Sequence, residues 1–501
     1  MKNVLEYLER SGALYPDKIS FADTDKQITY SELITRARSI GTALTYSVGR
    51  GKPVPVFMGK SVDTICVFFG AVYAGCFYTL LDTKQPKMRL LDILRTLEAD
   101  FIVTSHAYDD DLAAFGYGGT VLYAEDLMEA QENSTLLGMI RKLSLDIDPL
   151  YCNFTSGSTG TPKGVLVGHR SVIDFIDVFT ELFNITDRDV IGNQAPFDFD
   201  VSVKDIYSAI AVGATVHIIP TAYFSIPTQL LDFLCDRHVT TLIWAVSAMC
   251  IISQLHGFDY RAPTEIKKVM FSGEVMPIRH LTEWQNALPE TTFVNLYGPT
   301  EITCNCTYYV IDRKYERGES LPSGIPFPNE KVFLLDENNQ LVTETGKTGE
   351  ICVSGTALAL GYYNAPEQTA KAFVQNPLNN KYIELIYRTG DLAYINEEGL
   401  FCFASRKDFQ IKHMGHRIEL GEIDRALDAV EEVERACCIF EKNKIIAFYI
   451  GEIDKKDLAA KLAERIPKFM IPNRFVKVDE MPLTKNGKID RKALAGAAGR
   501  K

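Results

Sequence analysis

The sequence has no excess of basic residues, and this absence excludes several classes of function. Its 501 residues include 53 Lys and Arg against 65 Asp and Glu, which gives a formal net charge of −12. Proteins that bind nucleic acid normally present a basic stripe, so nucleic acid is not an expected partner. The chain also lacks low-complexity stretches and repeats of about 33–45 residues, so disorder and a repeat array are not expected.

Paired cysteine motifs are absent as well. The 11 cysteines include no CxxC spacing, and no histidine cluster accompanies the close pairs Cys304/Cys306 and Cys437/Cys438. A structural zinc site is therefore not expected. Several cysteines lie in apolar runs, which is typical of small core residues in a reducing cytosol and predicts a cytoplasmic protein.

The sequence has one marginal candidate for a membrane span. Residues 64–81 are 18 consecutive uncharged residues, at the lower limit for a transmembrane helix. Gly75 separates a helical half from the β-prone half CFYTLL, and Asp63 and Asp82 flank the segment instead of basic residues. We therefore predict a buried helix followed by a buried strand, and no membrane partner. The charged N-terminus lacks the apolar stretch of a signal peptide.

Short β-prone runs alternate with amphipathic helices through most of the chain. Thr29 and Glu32 form a capping box before a helix in which apolar residues recur at helical spacing. This alternation predicts α/β layers with ligand sites where strands end in loops. The chain becomes richer in strands and turns beyond about residue 330, and its last part suffices for a small α+β domain. Its length predicts two or three domains.

A loop rich in glycine and hydroxyl residues, FTSGSTGTPKG at 154–164, follows the predicted strand LYCNF and precedes the predicted helix RSVIDFIDVFTELF. Glycines let backbone N–H groups converge on an anion, while hydroxyls and a lysine add donors and charge, so the loop predicts a phosphate site. It is not a Walker A loop, because Lys163 lies between Pro162 and Gly164.

Together with this loop, further motifs resemble the adenylate-forming superfamily of nonribosomal peptide adenylation domains, acyl- and aryl-CoA synthetases and luciferases. They cover essentially the whole chain, in family order: ITYSEL at 28–33, FDFDVS at 197–202, NLYGPTE at 295–301, GEICVSG at 349–355, YRTGDL at 387–392, RKDFQIKHMGHRIELGEID at 406–424 and NGKIDRKAL at 486–494. The last two are most similar to amino-acid adenylation enzymes, and the nearest likeness is to stand-alone D-alanine carrier-protein ligases.

The resemblance implies an α/β fold with a large N-terminal domain and a small mobile α+β C-terminal domain. The large domain, residues 1–405, would comprise layered α/β subdomains and a β-rich subdomain. Residues 406–408 would form the hinge, with Asp408 at the hinge position, and residues 409–501 the small domain. The family usually has Gly before Arg406, whereas this chain has Ser405, which makes the freedom of the hinge less certain.

The resemblance also assigns the nucleotide site. Lys488 would meet the charge that develops at the α-phosphorus of ATP, while Glu301 would bind Mg²⁺ with Thr300 beside it. Asn295 and Tyr297 would bind adenine, and Asp391 the ribose hydroxyls. The full set of residues assigned to the nucleotide is Thr155, Ser156, Gly157, Ser158, Thr159, Gly160, Lys163, Asn295, Tyr297, Gly298, Asp391 and Arg406.

The acid that is activated is assigned to a pocket around Asp200, which aligns with the carboxylate that pairs with an α-ammonium group. The pocket positions are Asp200, Val201, Lys204, Trp244, Met270, Ser272, Leu296, Cys304 and Asn305. D-alanine ligases have Met at the position of Lys204 and Cys at that of Ser272, which weakens an exact D-alanine assignment. A lysine in such a pocket suggests an acidic or amide-bearing substrate, unless it pairs with Asp200 four residues earlier on one helix. Trp244 would limit the volume.

The resulting prediction is an ATP-dependent amino-acid:carrier-protein ligase. It would form an aminoacyl-AMP with release of pyrophosphate, and then transfer the amino acid to the phosphopantetheine thiol of a carrier. No carrier segment follows the last motif, so the carrier is expected to be a separate protein. The alternatives are an acyl- or aryl-CoA ligase and, less favoured, a nucleotide-binding paralogue without catalysis.

Overall fold

The computed structural model of the protein describes residues 1–156, 162–316, 318–407, 409–482 and 489–498. The chain divides into two compact units. The larger unit comprises Met1–Thr83, Ala99–Asn153 and Val165–Lys407, and the smaller comprises Lys84–Glu98, Phe154–Gly164 and Asp408–Lys501. This division rests on packing within each unit, and the predicted boundaries at 405 and 409 stay predictions.

Helices are distributed along both units. The α-helices are α1 Leu5–Leu14, α2 Tyr30–Ser47, α3 Val62–Tyr73, α4 Lys87–Leu97, α5 Asp109–Phe115, α6 Ala124–Met128, α7 Ser134–Leu143, α8 His169–Leu182, α9 Val201–Val212, α10 Pro227–Asp236, α11 Val246–Gln254, α12 Ile278–Ala287, α13 Pro366–Ala372, α14 Leu420–Asp428, α15 Lys455–Ala463 and α16 Arg491–Ala498. Short 3-10 helices lie at His106–Tyr108, Thr221–Ser225, Gly257–Asp259, Thr300–Ile302 and Lys468–Met470.

The strands are β1 Ile19–Ala22, β2 Gln27–Thr29, β3 Pro53–Val56, β4 Phe77–Leu80, β5 Phe101–Thr104, β6 Thr120–Tyr123, β7 Pro149–Thr155, β8 Lys163–Gly168, β9 Val190–Asn193, β10 Thr215–Ile218, β11 Thr241–Ala245, β12 Lys268–Ser272, β13 Thr292–Tyr297, β14 Thr307–Val310, β15 Ile325–Pro326, β16 Glu330–Leu335, β17 Leu341–Val342, β18 Gly349–Gly355, β19 Gly361–Tyr362, β20 Phe373–Gln375, β21 Leu385–Ile395, β22 Phe401–Arg406, β23 Gln410–His413, β24 His416–Glu419, β25 Val433–Glu441, β26 Lys444–Gly451 and β27 Arg474–Lys477.

A nine-stranded sheet has the order β15-β14-β13-β12-β11-β9-β10-β1-β2. Its six central strands, from β13 to β1, are parallel, and antiparallel strands occupy both edges. The carboxyl ends of β9, β11, β12 and β13 therefore lie side by side at one edge. Ligand sites of α/β proteins form at such an edge, and it carries the predicted substrate residues.

A seven-stranded sheet has the order β19-β8-β7-β4-β3-β5-β6. One of its strands, β8, was not predicted: the loop after β7 leads into this strand, and only then into α8. The segment KGVLVG that forms β8 is Val-rich and short, which fits a strand better than the start of a helix. The loop therefore joins two strands instead of a strand and a helix.

Other predicted elements are confirmed. Thr29 caps α2 through its side chain, and the Glu32 side chain accepts from the Thr29 backbone N–H, so the capping box is complete. Residues 64–81 fold as the buried helix α3 and the buried strand β4, with Gly75 between them at φ +68°. In the described ranges no helix is both long and apolar enough to cross a membrane.

The β-rich part of the larger unit is a six-stranded antiparallel sheet of β16, β17, β18, β20, β21 and β22. The smaller unit contains the hairpin β23–β24 and the three-stranded sheet β25-β26-β27 with α14, α15 and α16. These findings confirm the predicted mixed α/β fold with a β-rich region. All 11 cysteines are free.

Candidate active site

The predicted substrate residues gather at the carboxyl ends of the parallel strands in the larger unit. Ser272 is the last residue of β12, Leu296 is the penultimate residue of β13, and Asp200 directly precedes α9. All the predicted pocket residues are at most 6% exposed, and apart from Trp244 they lie near one another. They are Asp200, Val201, Lys204, Met270, Ser272, Leu296, Cys304 and Asn305.

Asp200 is not used as a helix cap. It precedes α9 with helical dihedral angles, φ −61° and ψ −22°, and its side chain makes no capping hydrogen bond. The capping role that its position suggests is therefore absent. The Cys304 thiol donates to the Asp200 backbone oxygen over 3.1 Å, and burial, followed by Asp200, raises the pKa of Cys304 well above its usual value. Cys304 is thus a neutral thiol beside a buried carboxyl group.

Lys204 is fully buried, and its ammonium group contacts an amide instead of a carboxylate. Nζ donates to Oδ1 of Asn305 over 2.7 Å. Lys204 forms no ion pair with any carboxylate of the described residues, so direct pairing with Asp200 does not occur. Burial lowers the pKa of Lys204, while Cys304, Asp200 and Asp205 oppose this effect. A buried cation held by a neutral amide is suited to an incoming anion.

The segment that carries Cys304 and Asn305 has an unusual backbone. Thr303 and Cys304 both adopt positive φ, at +40° and +80°, a region that side chains other than Gly and Asn rarely occupy. Thr303 is held there by a hydrogen bond from its hydroxyl to the Ala357 carbonyl over 2.7 Å. Gly298 packs directly against this segment, because a Cβ at position 298 would lie 2.4 Å from Cα of Asn305. The pocket segment is therefore fixed by backbone contacts.

Trp244 is the one predicted pocket residue that the structure does not bring to the others. Side chains alternate along a strand, and Trp244 pairs in register with Phe271, whereas Ala245 pairs with Ser272. The Trp244 ring contacts Trp284 in a separate core cluster, and its indole N–H donates to the Gly192 carbonyl. On β11, Ala245 lies on the face of Ser272, so Trp244 does not limit the pocket volume.

The residues predicted to bind adenosine form a second group in the larger unit. The Tyr297 hydroxyl donates to Asp391 Oδ2, and Arg406 donates to Asp391 Oδ1. Burial, followed by Asp391, raises the pKa of Tyr297 well above its usual value, so the phenol stays protonated. A carboxylate accepts up to about four hydrogen bonds, which leaves Asp391 able to accept from ribose hydroxyls. Asn295 donates to the Pro322 carbonyl over 2.8 Å.

Glu301, the predicted metal residue, lies with Thr300 in the 3-10 helix Thr300–Ile302 and is fully buried. The Tyr362 hydroxyl donates to its Oε1 over 2.7 Å. Among the residues that the structure describes, no cluster of three His, Cys, Asp or Glu side chains could hold a metal ion. Mg²⁺ in nucleotide enzymes is held by one or two carboxylates together with phosphate oxygens. A single buried glutamate fits that requirement.

The phosphate-loop residues belong to the smaller unit. Oγ1 of Thr155 is buried without a hydrogen-bond partner in the described part of the chain, which suits a residue that awaits a ligand. The Ser156 hydroxyl donates to the Arg417 carbonyl over 2.8 Å and accepts from the Glu419 N–H over 3.2 Å, so β24 occupies it. Lys163 begins β8. The predicted residues Gly157, Ser158, Thr159, Gly160, Asp408 and Lys488 lie outside the described residues.

Sequence comparison decides the family. Residues 8–363 match the family described as AMP-binding enzyme, and residues 422–488 match the AMP-binding enzyme C-terminal domain. The chain belongs to the AMP-binding enzyme family. This AMP-binding enzyme is an AMP-forming ligase that uses ATP to adenylate an amino acid.

Matches to similar proteins cover nearly the whole length of this AMP-binding enzyme. Zwittermicin A synthase ZmaJ of Bacillus cereus is 35% identical over 96% of this chain and 92% of its own length. Tyrocidine synthase 1 of Brevibacillus parabrevis is 30% identical over 98% of this chain, which spans only 45% of that protein.

Two solved structures share the fold. The Vibrio cholerae adenylation domain AlmE in complex with glycyl-adenosine-5'-phosphate has a TM-score of 0.86 at 20% identity and covers 99% of this chain and 98% of its own. NpsA-ThdA from Klebsiella oxytoca, an artificially fused adenylation-PCP di-domain, has a TM-score of 0.82 at 22% identity and covers 95% and 93%.

The sequence motifs did not reveal two positioning groups of the AMP-binding enzyme. Glu350 accepts from Arg388, Lys407 and the Gly390 N–H, next to Asp391. Burial alone would raise the pKa of Glu350, but the hydrogen bonds from Arg388 and Lys407 outweigh it and lower the pKa. The sequence could have indicated this contact, because Glu350 in GEICVSG and Arg388 in YRTGDL carry opposite charges. Tyr362, the donor to Glu301, lies 61 residues further along the chain, and no sequence spacing indicates that contact.

Proposed function

We propose that this enzyme is an ATP-dependent amino-acid:carrier-protein ligase. In the first half-reaction a carboxylate oxygen of the amino acid bonds to the α-phosphorus of ATP, and the bond to the bridging oxygen breaks to release pyrophosphate. In the second, a phosphopantetheine thiolate bonds to the acyl carbon and AMP leaves. The products are a thioester on a separate carrier protein, AMP and pyrophosphate.

The observation that carries the proposal is the buried pair of charged positions at the start of α9. Asp200 does not cap the helix, and four residues later Lys204 is fully buried against an amide oxygen. An amino acid offers an α-ammonium group to the Asp200 carboxylate, whereas an acyl or aryl substrate without an amino group offers no cation there.

The nucleotide residues support the adenylation step. Asp391, with Tyr297 and Arg406 on its two oxygens, is oriented for ribose, and Glu301 is suited to hold Mg²⁺ with the phosphates. When bound, the metal would neutralise phosphate charge. Lys488 is proposed as the catalytic lysine at the α-phosphate, from its position in NGKIDRKAL. Lys488→Ala is expected to lower adenylate formation sharply while ATP still binds, and unchanged adenylation would remove this role.

We further propose that the substrate side chain ends in a carboxylate or a carboxamide. Lys204 has three N–H donors, and Asn305 accepts from one of them. An oxygen of the substrate would accept from another and supply the charge or dipole that the buried ammonium needs. Placement of Trp244 on the opposite face of the sheet leaves room for such a side chain.

Transfer to a carrier is proposed from the adenylation motifs and from the fold shared with NpsA-ThdA, which combines adenylation and PCP domains. The free state of all the cysteines supports the expected cytoplasmic location. The acceptor is tested by offering CoA and a phosphopantetheinylated carrier to the enzyme loaded with aminoacyl-AMP. Thioester on the carrier alone supports the proposal, and acylation of CoA alone contradicts it.

ATP–pyrophosphate exchange across amino acids of both chiralities tests the substrate class. We expect the highest rate with one of glutamate, glutamine, aspartate or asparagine. Lys204→Met should lower kcat/KM for that substrate by about 100-fold, since a buried charged hydrogen bond is worth about 2–3 kcal/mol. Norvaline, which lacks the polar end, is the matched substrate and should be nearly unaffected. A preference for D-alanine or an apolar amino acid would contradict the acidic or amide assignment.

A further inference from the structure

Tyr151, on β7, carries a hydroxyl that is buried without a hydrogen-bond partner among the residues that the structure describes. The whole residue is 0% exposed. Buried hydroxyl groups are almost always paired in folded proteins, because leaving one unpaired loses its hydrogen bond to water without a replacement. This hydroxyl therefore requires an explanation, and a ligand that accepts its proton is one.

The neighbouring tyrosine, Tyr78, does have a hydrogen-bond partner for its hydroxyl. Tyr78 on β4 is the register partner of Tyr151, and their ring centroids are 6.0 Å apart. The Tyr78 hydroxyl is paired with the Tyr207 hydroxyl over 2.8 Å. Tyr207 lies on α9, three residues after Lys204 and seven after Asp200, so these three side chains share one face of the helix. Tyr151 thus adjoins a tyrosine that is anchored to the substrate-binding face of α9.

Tyr151 belongs to the same buried core cluster as the pocket residues Val201 and Cys304. The Cys304 thiol in turn contacts the Asp200 backbone. Burial raises the pKa of Tyr151 well above its usual value, followed by Cys304 and Asp200. Tyr151 is therefore a protonated donor within the cluster that contains part of the predicted pocket.

We propose that Tyr151 is a further substrate ligand, whose hydroxyl donates to the carboxylate or carboxamide oxygen of the amino-acid side chain. Lys204 supplies the charge at that oxygen, and Tyr151 supplies a neutral donor with a fixed direction. The inference rests on the proposed function and deepens it. In the free enzyme the unpaired hydroxyl costs stability, and the bound substrate removes that cost.

Tyr151→Phe tests this role because it removes only the hydroxyl. In ATP–pyrophosphate exchange we expect KM for the preferred acidic or amide substrate to rise about 10-fold, with KM for ATP and for norvaline unchanged. The midpoint of urea unfolding of the free variant should equal or exceed that of the wild type, since no hydrogen bond within the protein is lost. Tyr78→Phe is the matched control: it breaks the bond to Tyr207, so it should lower the unfolding midpoint and leave KM unchanged.

The outcomes separate the inference from the proposed function. Wild-type exchange with an unchanged KM in Tyr151→Phe would overturn the inference and leave the function standing. An equal rise in KM for norvaline, or a loss of stability as large as that of Tyr78→Phe, would show that the hydroxyl acts on the protein and would also overturn it. Absence of exchange with every amino acid would overturn the proposed function, and the inference with it.

Discussion

The two ends of the nine-stranded sheet each hold a lysine, and the two lysines have opposite kinds of partner. At the amino end, Lys268 of β12 donates to both oxygens of Asp189, over 2.8 and 2.9 Å. At the carboxyl end, Lys204 donates to the amide oxygen of Asn305. The first lysine has its countercharge within the fold. The second has a dipole, which orients an ammonium group without neutralising it.

The buried aspartates at the two ends of the sheet differ in the same way as the lysines. Thr241 and Lys268 both donate to Asp189, and together with Thr186 they outweigh burial and lower the pKa of Asp189. Asp205, on α9, accepts from the amide of Asn193 at the end of β9, over 2.7 Å, and burial raises the pKa of Asp205 to about 7. Charge at the amino end is balanced and contributes stability. At the carboxyl end, Lys204 and Asp205 contact amide groups instead of groups of opposite charge.

The largest expected effect comes from making the amino end resemble the carboxyl end. Asp189→Asn would leave the partly exposed Lys268 beside an amide instead of a carboxylate. Loss of one partner of a fully buried pair costs about 3–5 kcal/mol, which is the upper limit here, and the decrease should be measured in urea unfolding. KM for the amino acid should not change, because the site lies at the other edge. A stability close to that of the wild type would break the comparison.

The next effect concerns the pH dependence of stability. The pKa of Asp205 rises from 3.8 in the unfolded chain to about 7, so the folded state alone keeps this proton between those values. This group therefore lowers the free energy of unfolding as pH rises through that window, by at most about 4 kcal/mol. Asp205→Asn removes the titration, so the variant should gain stability relative to the wild type as the pH rises from about 4 to about 7. Parallel pH profiles of the two proteins would contradict the raised pKa of Asp205.

The next largest expected effect is on the activity of the enzyme. Asp200→Asn retains the shape of the side chain and removes the charge that would pair with the α-ammonium group. We expect kcat/KM for the amino acid to fall about 100-fold in ATP–pyrophosphate exchange, equivalent to about 2.7 kcal/mol, with binding of ATP preserved. The free energy of unfolding should stay within about 1 kcal/mol of the wild type. Equal exchange rates would show that Asp200 does not contact the substrate.

The smallest effect should have opposite signs at the two ends. Lys204→Met replaces a buried ammonium that is hydrogen-bonded to an amide and not to a carboxylate, so the free enzyme should gain about 1 kcal/mol of stability. Lys268→Met, the matched control, leaves Asp189 buried without its cation and should lose stability. Both are read from urea unfolding without substrate. A loss at both positions would mean that Lys204 is structural.

Local chemistry made much of the fold predictable from the sequence. The capping box at Thr29 and Glu32 and the helix–strand pair around Gly75 follow from contacts between near neighbours, and the structure confirms both. The strand β8, Lys163–Gly168, was missed because the loop was predicted to lead directly into the helix. Where an element depends on pairing with a distant strand, as β8 does with β19, local pattern is a weaker guide.

The geometry of the candidate site could not be predicted from the sequence. Trp244 lies in a continuous apolar strand that is buried on both faces, so no polar alternation marks which side chains face the pocket. The left-handed turn at Thr303 and Cys304 has no sequence signal either, because neither residue type favours positive φ. Tertiary contacts with Ala357 and Gly298 impose it. The partner of Lys204 depends on that turn and could not be read from spacing.

The close approach of Gly298 to Asn305 has a consequence for redesign. Residue 298 follows Tyr297, which we predict to bind adenine, and residue 305 supplies the acceptor for Lys204, so a single backbone contact joins the two parts of the candidate site. Grafting a foreign loop at 303–306 would disturb nucleotide recognition along with selectivity. New substrates are better sought by exchanging side chains at 204, 272 and 245 on an unaltered main chain.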